Sequence, residues 1–309
     1  MSGFPSGILP PMMKFPQFFQ GQMGVPGSDT PLGLRLAPTS HVYFVDKNHP
    51  DATDSNDGTD PMKPKLTIGS AQAAAHANID WAHDSYAYNW IFVNPGTYEE
   101  NLGGFYYTHL IGLGLLGTDT AAEIHPVAGS AVAGTLLGAH FQNIRFECET
   151  AVPVIDVGIG NNSIIEGCEI VKGIADLATI GIEFDNATHV QILDNLFVSG
   201  VTNLAQGIVF NGGANQYAHA CRIMRNTIWA ATKGIAIAAA CTATNCLIQG
   251  NVIARPTTGI EDLNTNSYVV DNWISALVDA ISHALSTTHC IANHVLDNAV
   301  GAVEAVGTD

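Results

Sequence analysis

A six-fold repeat between residues 163 and 295 constrains the fold of this chain more than any other feature. Each copy has a small or apolar residue, an apolar residue two places later, Asn or Cys after three more, and an apolar residue two after that. The copies are Ser163/Ile165/Cys168/Ile170, Val190/Ile192/Asn195/Phe197, Cys221/Ile223/Asn226/Ile228, Cys246/Ile248/Asn251/Ile253, Ser267/Val269/Asn272/Ile274 and Thr288/Cys290/Asn293/Val295. The Asn column advances by 27, 31, 25, 21 and 21 residues, which is the period range of stacked solenoid coils.

The spacing inside each copy predicts two short strands joined at the Asn. Apolar residues two apart have the period of a β-strand, and Asn tolerates the backbone angles of a bend. A further strand recurs at 155–157, 181–184, 207–210, 234–237, 259–262 and 280–283. Three short strands in roughly 25 residues, without helices between them, predict an all-β fold. We expect a single-stranded right-handed parallel β-helix.

The Asn residues of the repeat are expected to face the interior of the solenoid. Coils of a β-helix stack about 4.8 Å apart, so each side-chain amide can bond its equivalent one coil away. The predicted ladder consists of Asn195, Asn226, Asn251, Asn272 and Asn293. We assign these residues to structure and not to catalysis.

The chain begins with a segment of different composition. Residues 1–40 contain seven prolines, several glycines and no strand or helix period, so they cannot form a core of their own. We interpret them as an extended anchoring arm that docks on a partner through Phe4, Phe15, Phe18 and Phe19. An arm packed against its own domain is the alternative.

The rest of the chain divides into an entrance and the regular coils. Residues 41–130 are predicted to form the entrance and cap, with one helix near 67–77, and residues 131–309 the regular coils. An open solenoid end exposes unpaired backbone and apolar side chains, so the Ala-rich helix is expected to plug it.

The charge of the chain limits its possible partners. With 28 acidic against 11 basic residues the formal charge is −17, which disfavours nucleic acid. The sequence has neither a recognisable signal peptide nor an apolar run that could span a membrane, so we expect cytoplasmic synthesis.

Four of the six Cys fall in inward columns, where free thiols act as small hydrophobes. Cys221 and Cys246 share one column and are predicted to be a reduced pair or a disulfide.

The entrance resembles a known superfamily. The motif residues are Val42-Tyr43-Phe44-Val45, Asp54-Ser55-Asn56-Asp57-Gly58-Thr59, Lys63-Pro64, Thr67-Ile68, Ala71, Pro95-Gly96-Thr97-Tyr98 and Glu100. Their order is similar to the start of pectin-lyase-like right-handed β-helix proteins, and the resemblance extends over about residues 42–300. The superfamily includes pectate lyases, pectin methylesterases, phage tailspikes and other virion proteins, so the resemblance implies a fold more than an activity.

Candidate catalytic residues are few. Asp156 and Glu183 are both predicted to face outward, one coil apart, at a separation that suits the acid and nucleophile of a retaining glycosidase. Among the Arg residues of the coils, Arg145 and Arg255 have no carboxylate partner in their column. The Asp-rich loop at 46–60 superficially resembles a calcium loop, but its spacing is more typical of turns. No metal or cofactor is expected.

The outward residues of the Asn-ladder strands are unusually apolar. They include Leu193, Leu196, Met224, Leu247, Val252, Val270, Trp273 and Ile291. Soluble monomers seldom expose an apolar surface of this length, so we expect it to be covered by copies of the chain, as a homotrimer, or by the returning arm.

The combined pattern favours a structural, non-enzymatic phage virion protein. A capsid decoration or cement protein fits best, because only a short tail follows the last coil. Such a protein would dock on the major capsid or other virion proteins through its arm. The alternative is a polysaccharide-degrading enzyme, such as a tailspike depolymerase or lyase, with Asp156 and Glu183 as its acids.

Overall fold

The computed structural model describes residues 40–79, 88–172, 179–199, 204–211, 216–238, 241–263, 267–283 and 288–295. Over these ranges the chain forms a parallel β-helix with three faces, which we call A, B and C. Strand pairings along each face are parallel. The architecture confirms the all-β solenoid predicted from the repeat.

Face A is a sheet of ten strands in chain order. Its strands are β1 (Val42–Val45), β2 (Asn89–Val93), β5 (Thr108–Gly112), β8 (His140–Gln142), β11 (Ile164–Glu166), β14 (Gln191–Leu193), β18 (Arg222–Met224), β21 (Leu247–Gln249), β24 (Tyr268–Val270) and β27 (His289–Ile291). One inward column runs without a break through all ten strands, from Tyr43 to Cys290.

Face B follows face A in each coil. Its strands are β3 (Gly96–Tyr98), β6 (Ala122–Ile124), β9 (Arg145–Cys148), β12 (Glu169–Lys172), β15 (Leu196–Ser199), β19 (Thr227–Ile237), β22 (Val252–Ala254), β25 (Trp273–Ser275) and β28 (His294–Val295). Its inward column of Ile, Phe and Val side chains meets the column of face A in a common core.

Face C closes each coil. Its strands are β4 (Phe105–Tyr106), β7 (Val132–Leu137), β10 (Ile155–Asn161), β13 (Ile180–Thr188), β16 (Leu204–Phe210), β17 (Tyr217–His219), β20 (Thr242–Thr244), β23 (Thr258–Asp262) and β26 (Asp279–His283). Strand β19 pairs with β22 on face B and with β23 on face C. The two faces therefore join into one 18-stranded sheet.

The residue before each inward Asn or Cys forms the corner between faces A and B. That residue has a left-handed backbone in every copy of the repeat: Gly167, Asp194, Arg225, Gly250, Asp271 and Ala292 have φ between 54° and 64°. Asp at two of the six positions reflects the tolerance of short polar side chains for this conformation. A left-handed residue turns the chain sharply and leaves the following side chain inside.

The inward Asn residues form a continuous hydrogen-bonded ladder. The Nδ2 of Asn195 donates to Asn226 Oδ1 at 3.0 Å, and the same bond repeats from Asn226 to Asn251, from Asn251 to Asn272 and from Asn272 to Asn293. Each Nδ2 also donates to a face A carbonyl, as Asn251 does to Ile223 O at 3.0 Å. Cys168 ends the ladder, and its backbone N–H donates to Asn195 Oδ1 at 2.9 Å.

Helix α1 (Ile68–Ala77) packs against the first strands, at the position expected from sequence. Thr67 caps it, because its Oγ1 accepts from Ser70 N–H at 3.2 Å. The Glu100 carboxylate accepts from the first two helical N–H groups at 2.9 and 2.7 Å, which places negative charge at the positive end of the helix dipole. The residues buried against the coil are Ile68, Ala71 and Ala75.

The Asp-rich loop that precedes α1 is organised around a lysine. The buried Lys65 Nζ donates to the carbonyls of Asp54 and Asn56, at 3.2 and 2.9 Å, and to Ser70 Oγ at 3.1 Å. Asp54 Oδ1 accepts from Thr67 N–H at 2.9 Å. The lysine ammonium thus links the backbone of the Asp-rich loop to the start of α1.

All six cysteines carry free thiols, and five of them are buried. The two alternatives for Cys221 and Cys246 are therefore resolved in favour of the reduced pair. Both residues are 1% exposed, so their thiols serve as core side chains.

Candidate functional site

The eight apolar residues expected on one surface lie on two faces. Those on face A are Leu193, Met224, Leu247, Val270 and Ile291. Those on face B are Leu196, Val252 and Trp273. Treating them as one sheet was wrong, because the left-handed corner before each Asn turns the chain between them. They form two ridges that flank this corner.

The ridges are most exposed in the last coils. On face B, Leu196, Val252 and Trp273 are 40%, 46% and 47% exposed, and on face A Ile291 is 54% exposed. Register places Val252 directly beside Trp273. Further exposed apolar side chains in the same half are Tyr217, Trp229, Tyr268, Leu277 and Val278. The isolated chain therefore exposes large apolar side chains on all three faces of this half.

A groove of about 740 Å³ crosses face A beside these ridges. It is lined by Asn162, Ile164, His189, Gln191, Ala220, Arg222, Asn245, Leu247 and Tyr268. The lining combines apolar side chains with amides and the exposed Arg222. A surface of mixed polarity next to exposed aromatic groups is typical of protein interfaces.

The candidate carboxylates Asp156 and Glu183 are neighbours in register on face C. Burial, followed by the nearby Asp185, raises the pKa of Asp156. Burial and the charge of Asp156 also raise the pKa of Glu183, whose Oε1 accepts from Asn211 Nδ2 at 2.7 Å. The next outward position in the column is the buried Val209. The pair is therefore a local acidic site and does not continue into a polar groove along the column.

A charged cluster on face B was missed by the sequence analysis. Arg145 on β9, which seemed to lack a carboxylate partner, contacts Glu123 on β6 at 3.2 Å, Glu147 at 2.8 Å and Glu169 on β12 at 3.8 Å. The expectation for Arg145 was wrong, because the register of β6, β9 and β12 places carboxylates on both sides of it. Strand register aligns residues 123, 145 and 169 as one outward column.

His125 belongs to the same cluster. Its Nε2 lies 3.2 Å from Glu149 Oε1 and 3.9 Å from Glu147 Oε1, and its Nδ1 lies 3.9 Å from Glu123 Oε1. Burial, together with the neighbouring Glu147 carboxyl, raises the pKa of Glu123. Strand alternation predicts that each of these residues faces outward. They become neighbours only because coils of unequal length stack on one another.

A third group of polar side chains lies on face A near the entrance. The rings of Trp90 and His109 stack with centroids 4.0 Å apart, and His109 Nδ1 lies 3.2 Å from His140 Nδ1. Burial, with His140 beside it, lowers the pKa of His109 to about 3. His140 Nε2 in turn lies 3.2 Å from Glu166 Oε2. His109 is consequently neutral at physiological pH.

Several predicted residues do not take part in any of these surfaces. The Asn ladder lies inside the solenoid, and Asn226, Asn251 and Asn272 are 0% exposed. The arm residues Phe4, Phe15, Phe18 and Phe19 lie outside the described residues. Within the part of the chain that the structure describes, no helix is long and apolar enough to cross a membrane.

Comparison with known protein families identifies a match. A family model described as "Protein of unknown function (DUF1565)" matches residues 51–287, which is more than three quarters of the 309-residue chain. The match and the solenoid together fit a parallel β-helix superfamily. No curated protein matches the chain.

Proposed function

The chain belongs to the DUF1565 family, and we propose that it is a structural protein that assembles with copies of itself through the two apolar ridges. The observation that carries this proposal is the exposure of Leu196, Val252, Trp273 and Ile291 beside one corner of the last coils. Burying such side chains contributes about 25 cal/mol per Å² of apolar surface removed from water. Large aromatic groups are also the residues that dominate interface energies.

A closed trimer fits the shape of the surface. Two ridges that meet at a corner form a wedge, so each subunit presents one face to either neighbour around a three-fold axis. The groove on face A provides a recess beside the ridges. Its exposed Arg222 lies in the same outward column as Leu247.

The finer proposal is a phage virion protein, in particular a capsid decoration or cement protein. It is supported by the resemblance of the entrance residues to a superfamily that contains virion proteins, and by the Pro-rich composition of residues 1–40. The proposed partner of this arm is the major capsid protein or another virion protein. Synthesis in the host cytoplasm and assembly into the particle complete this proposal.

The self-association is tested by charge substitution on the face B ridge. Purified wild-type chain is expected to have three times the chain mass in sedimentation equilibrium. The double variant Val252→Glu/Trp273→Glu should be a folded monomer, because two like charges would be buried at each contact. A wild-type protein that remains monomeric at high concentration would exclude the proposed role of the ridges.

The matched control places a charge elsewhere on the solenoid. Thr242→Glu adds an exposed carboxylate on face C and should leave the mass of the assembly unchanged. Circular dichroism of both variants confirms that the coils are intact.

Glycan hydrolysis or cleavage is the second candidate function. The observation that favours it is the in-register pair Asp156 and Glu183, because burial raises the pKa of both groups and a raised pKa suits a general acid. Asp156→Asn and Glu183→Gln should each abolish cleavage of a polysaccharide that the wild-type chain degrades. A wild-type chain without activity on a panel of neutral and acidic polysaccharides removes this candidate.

A further inference from the structure

The cluster on face B contains a set of side chains that can bind a metal ion. Ligand atoms of Glu123, His125 and Glu147 all lie within 4.8 Å of one another. Two ligands of one Zn²⁺ are at most about 4.4 Å apart, since each bond is about 2.0–2.2 Å long. Side-chain shifts of a few tenths of an ångström would therefore bring the three atoms around one ion.

Glu147 is the more buried of the two candidate carboxylates. The residue is 6% exposed, and its Oε2 accepts both Arg145 bonds, at 3.3 and 2.8 Å. Among the described residues no N–H or hydroxyl donates to its Oε1, which faces His125 Nε2 at 3.9 Å. A cation could therefore bind this oxygen without displacing a protein donor.

The second oxygens of the two candidate carboxylates are already held in place. Thr97 Oγ1 donates to Glu123 Oε2 at 2.9 Å, while Arg145 binds Glu147 Oε2 at 2.8 Å. Hydrogen bonds of this kind orient metal ligands and fix which atom faces the ion. The oxygens that face His125 are Glu123 Oε1, which lies near Nδ1 and is also 3.2 Å from Arg145 Nε, and Glu147 Oε1, which lies near Nε2.

The charges of the cluster do not balance. Glu123, Glu147, Glu149 and Glu169 carry four negative charges when ionised, whereas Arg145 carries one positive charge and His125 is neutral as a metal ligand. Partly buried charges of one sign repel strongly at these distances. A divalent cation would offset most of the excess.

We propose that Glu123, His125 and Glu147 bind a divalent transition-metal ion, with Glu149 as an additional ligand or hydrogen-bond partner of His125. An imidazole nitrogen with carboxylate oxygens suits Zn²⁺ or Mn²⁺, whereas Ca²⁺ and Mg²⁺ prefer oxygen ligands alone. The site joins β6 to β9, so the ion would tie two successive coils together outside the Asn ladder. This inference does not depend on the proposed self-association.

The test is calorimetric titration of the full-length, EDTA-treated protein with ZnCl₂, MnCl₂ and CaCl₂ at neutral pH. We expect His125→Gln and Glu147→Gln each to remove one Zn²⁺ event per chain or weaken it by about 100-fold, since even outer partners of a metal ligand contribute 10-fold to 100-fold. Zn²⁺ should also raise the melting temperature of the wild type, because it binds the folded state, and of neither variant.

The matched control is His294→Gln. His294 is also on face B and also lies near a carboxylate, at 3.6 Å from Asp271, but it is exposed and has a single acidic neighbour. It should titrate like the wild type. His125 is half-buried, so its variant keeps the test valid if Glu147→Gln fails to fold.

Two results would overturn the proposed site. One is a Zn²⁺ stoichiometry and affinity that are the same in the wild type and in folded His125→Gln. The other is binding of Ca²⁺ at least as tight as that of Zn²⁺ and insensitive to His125→Gln, which would indicate general attraction to an acidic surface.

Discussion

At the scale of single residues, burial decides which polar groups are ionised. His109 lies between the Trp90 ring and His140, and it stays neutral because its charged form would lose hydration. The carboxylates Asp156 and Glu183 are only half-buried, and their pKa values move in the opposite direction. Outward polar residues of this solenoid thus differ in charge although they share the same strand alternation.

The lowered pKa of His109 predicts a loss of stability in acid. The unfolded chain binds a proton at His109 below pH 6.5, whereas the folded chain binds it only near pH 3. The free energy of unfolding should therefore fall as pH decreases through this window, by at most about 1.4 kcal/mol per pH unit from this residue. Nearby titratable groups are His140 and, beyond it, Glu166.

Substitution of His109 isolates its contribution to the pH dependence of stability. In His109→Gln the fall in free energy between pH 6.5 and 4, measured by urea unfolding, should be smaller than in the wild type. Identical pH profiles for the two proteins would show that the pKa of His109 is the same in the folded and unfolded states.

At the scale of elements, the corner between faces A and B is the unit that the chain repeats. A left-handed residue turns the backbone, and the next side chain enters the ladder. The Asn amide suits this position because it donates and accepts along the axis of the solenoid at the same time. Buried backbone groups at the corner obtain partners that neither strand could supply.

Removal of one rung from the middle of the ladder should be costly. In Asn251→Ala the backbone N–H and Nδ2 of Asn226 lose their acceptor, and Asn272 Oδ1 loses the Nδ2 donor while it keeps the backbone N–H of residue 251. Buried groups without partners cost about 1–3 kcal/mol each. We expect a decrease of about 3 kcal/mol or more in the free energy of unfolding, measured by chemical denaturation.

The end of the ladder provides the comparison. Asn293 is only half-buried and bonds one neighbouring Asn side chain, so Asn293→Ala should destabilise less than Asn251→Ala. Equal losses for the two variants would contradict the importance of the continuous ladder.

At the scale of the whole molecule, the solenoid combines a closed core with an open outer surface. Its inward columns are almost fully buried by strands of the same chain, so the described coils need no partner for their core. The apolar ridges have no such cover from the described residues. The described core is thus complete within one chain, whereas the ridges would be covered only by another surface.

Deletion of residues 1–40 should therefore leave the coils folded and self-associated. The same truncation is expected to abolish attachment to the virion, because the arm is proposed to make that contact. Circular dichroism, sedimentation and a particle-binding assay measure the three properties separately. Full occupancy of particles by the truncated chain would exclude the arm as the docking segment.

The sequence was sufficient to predict the interior of this protein. A period-two alternation interrupted by Asn determines which side chains face inward, and the core and the ladder follow from it. The helix near 67–77 was also predicted, because its Ala-rich composition is a local signal. Such features depend on residues close together in the chain.

Only the tertiary structure decided what meets on the outside. The outward residues of one repeat divide between faces A and B because a left-handed corner changes the direction of the chain by an angle that alternation does not encode. Glu123, His125, Arg145 and Glu147 become neighbours because coils of unequal length stack in register. Backbone hydrogen bonding between strands fixes that register, so it belongs to the folded chain as a whole.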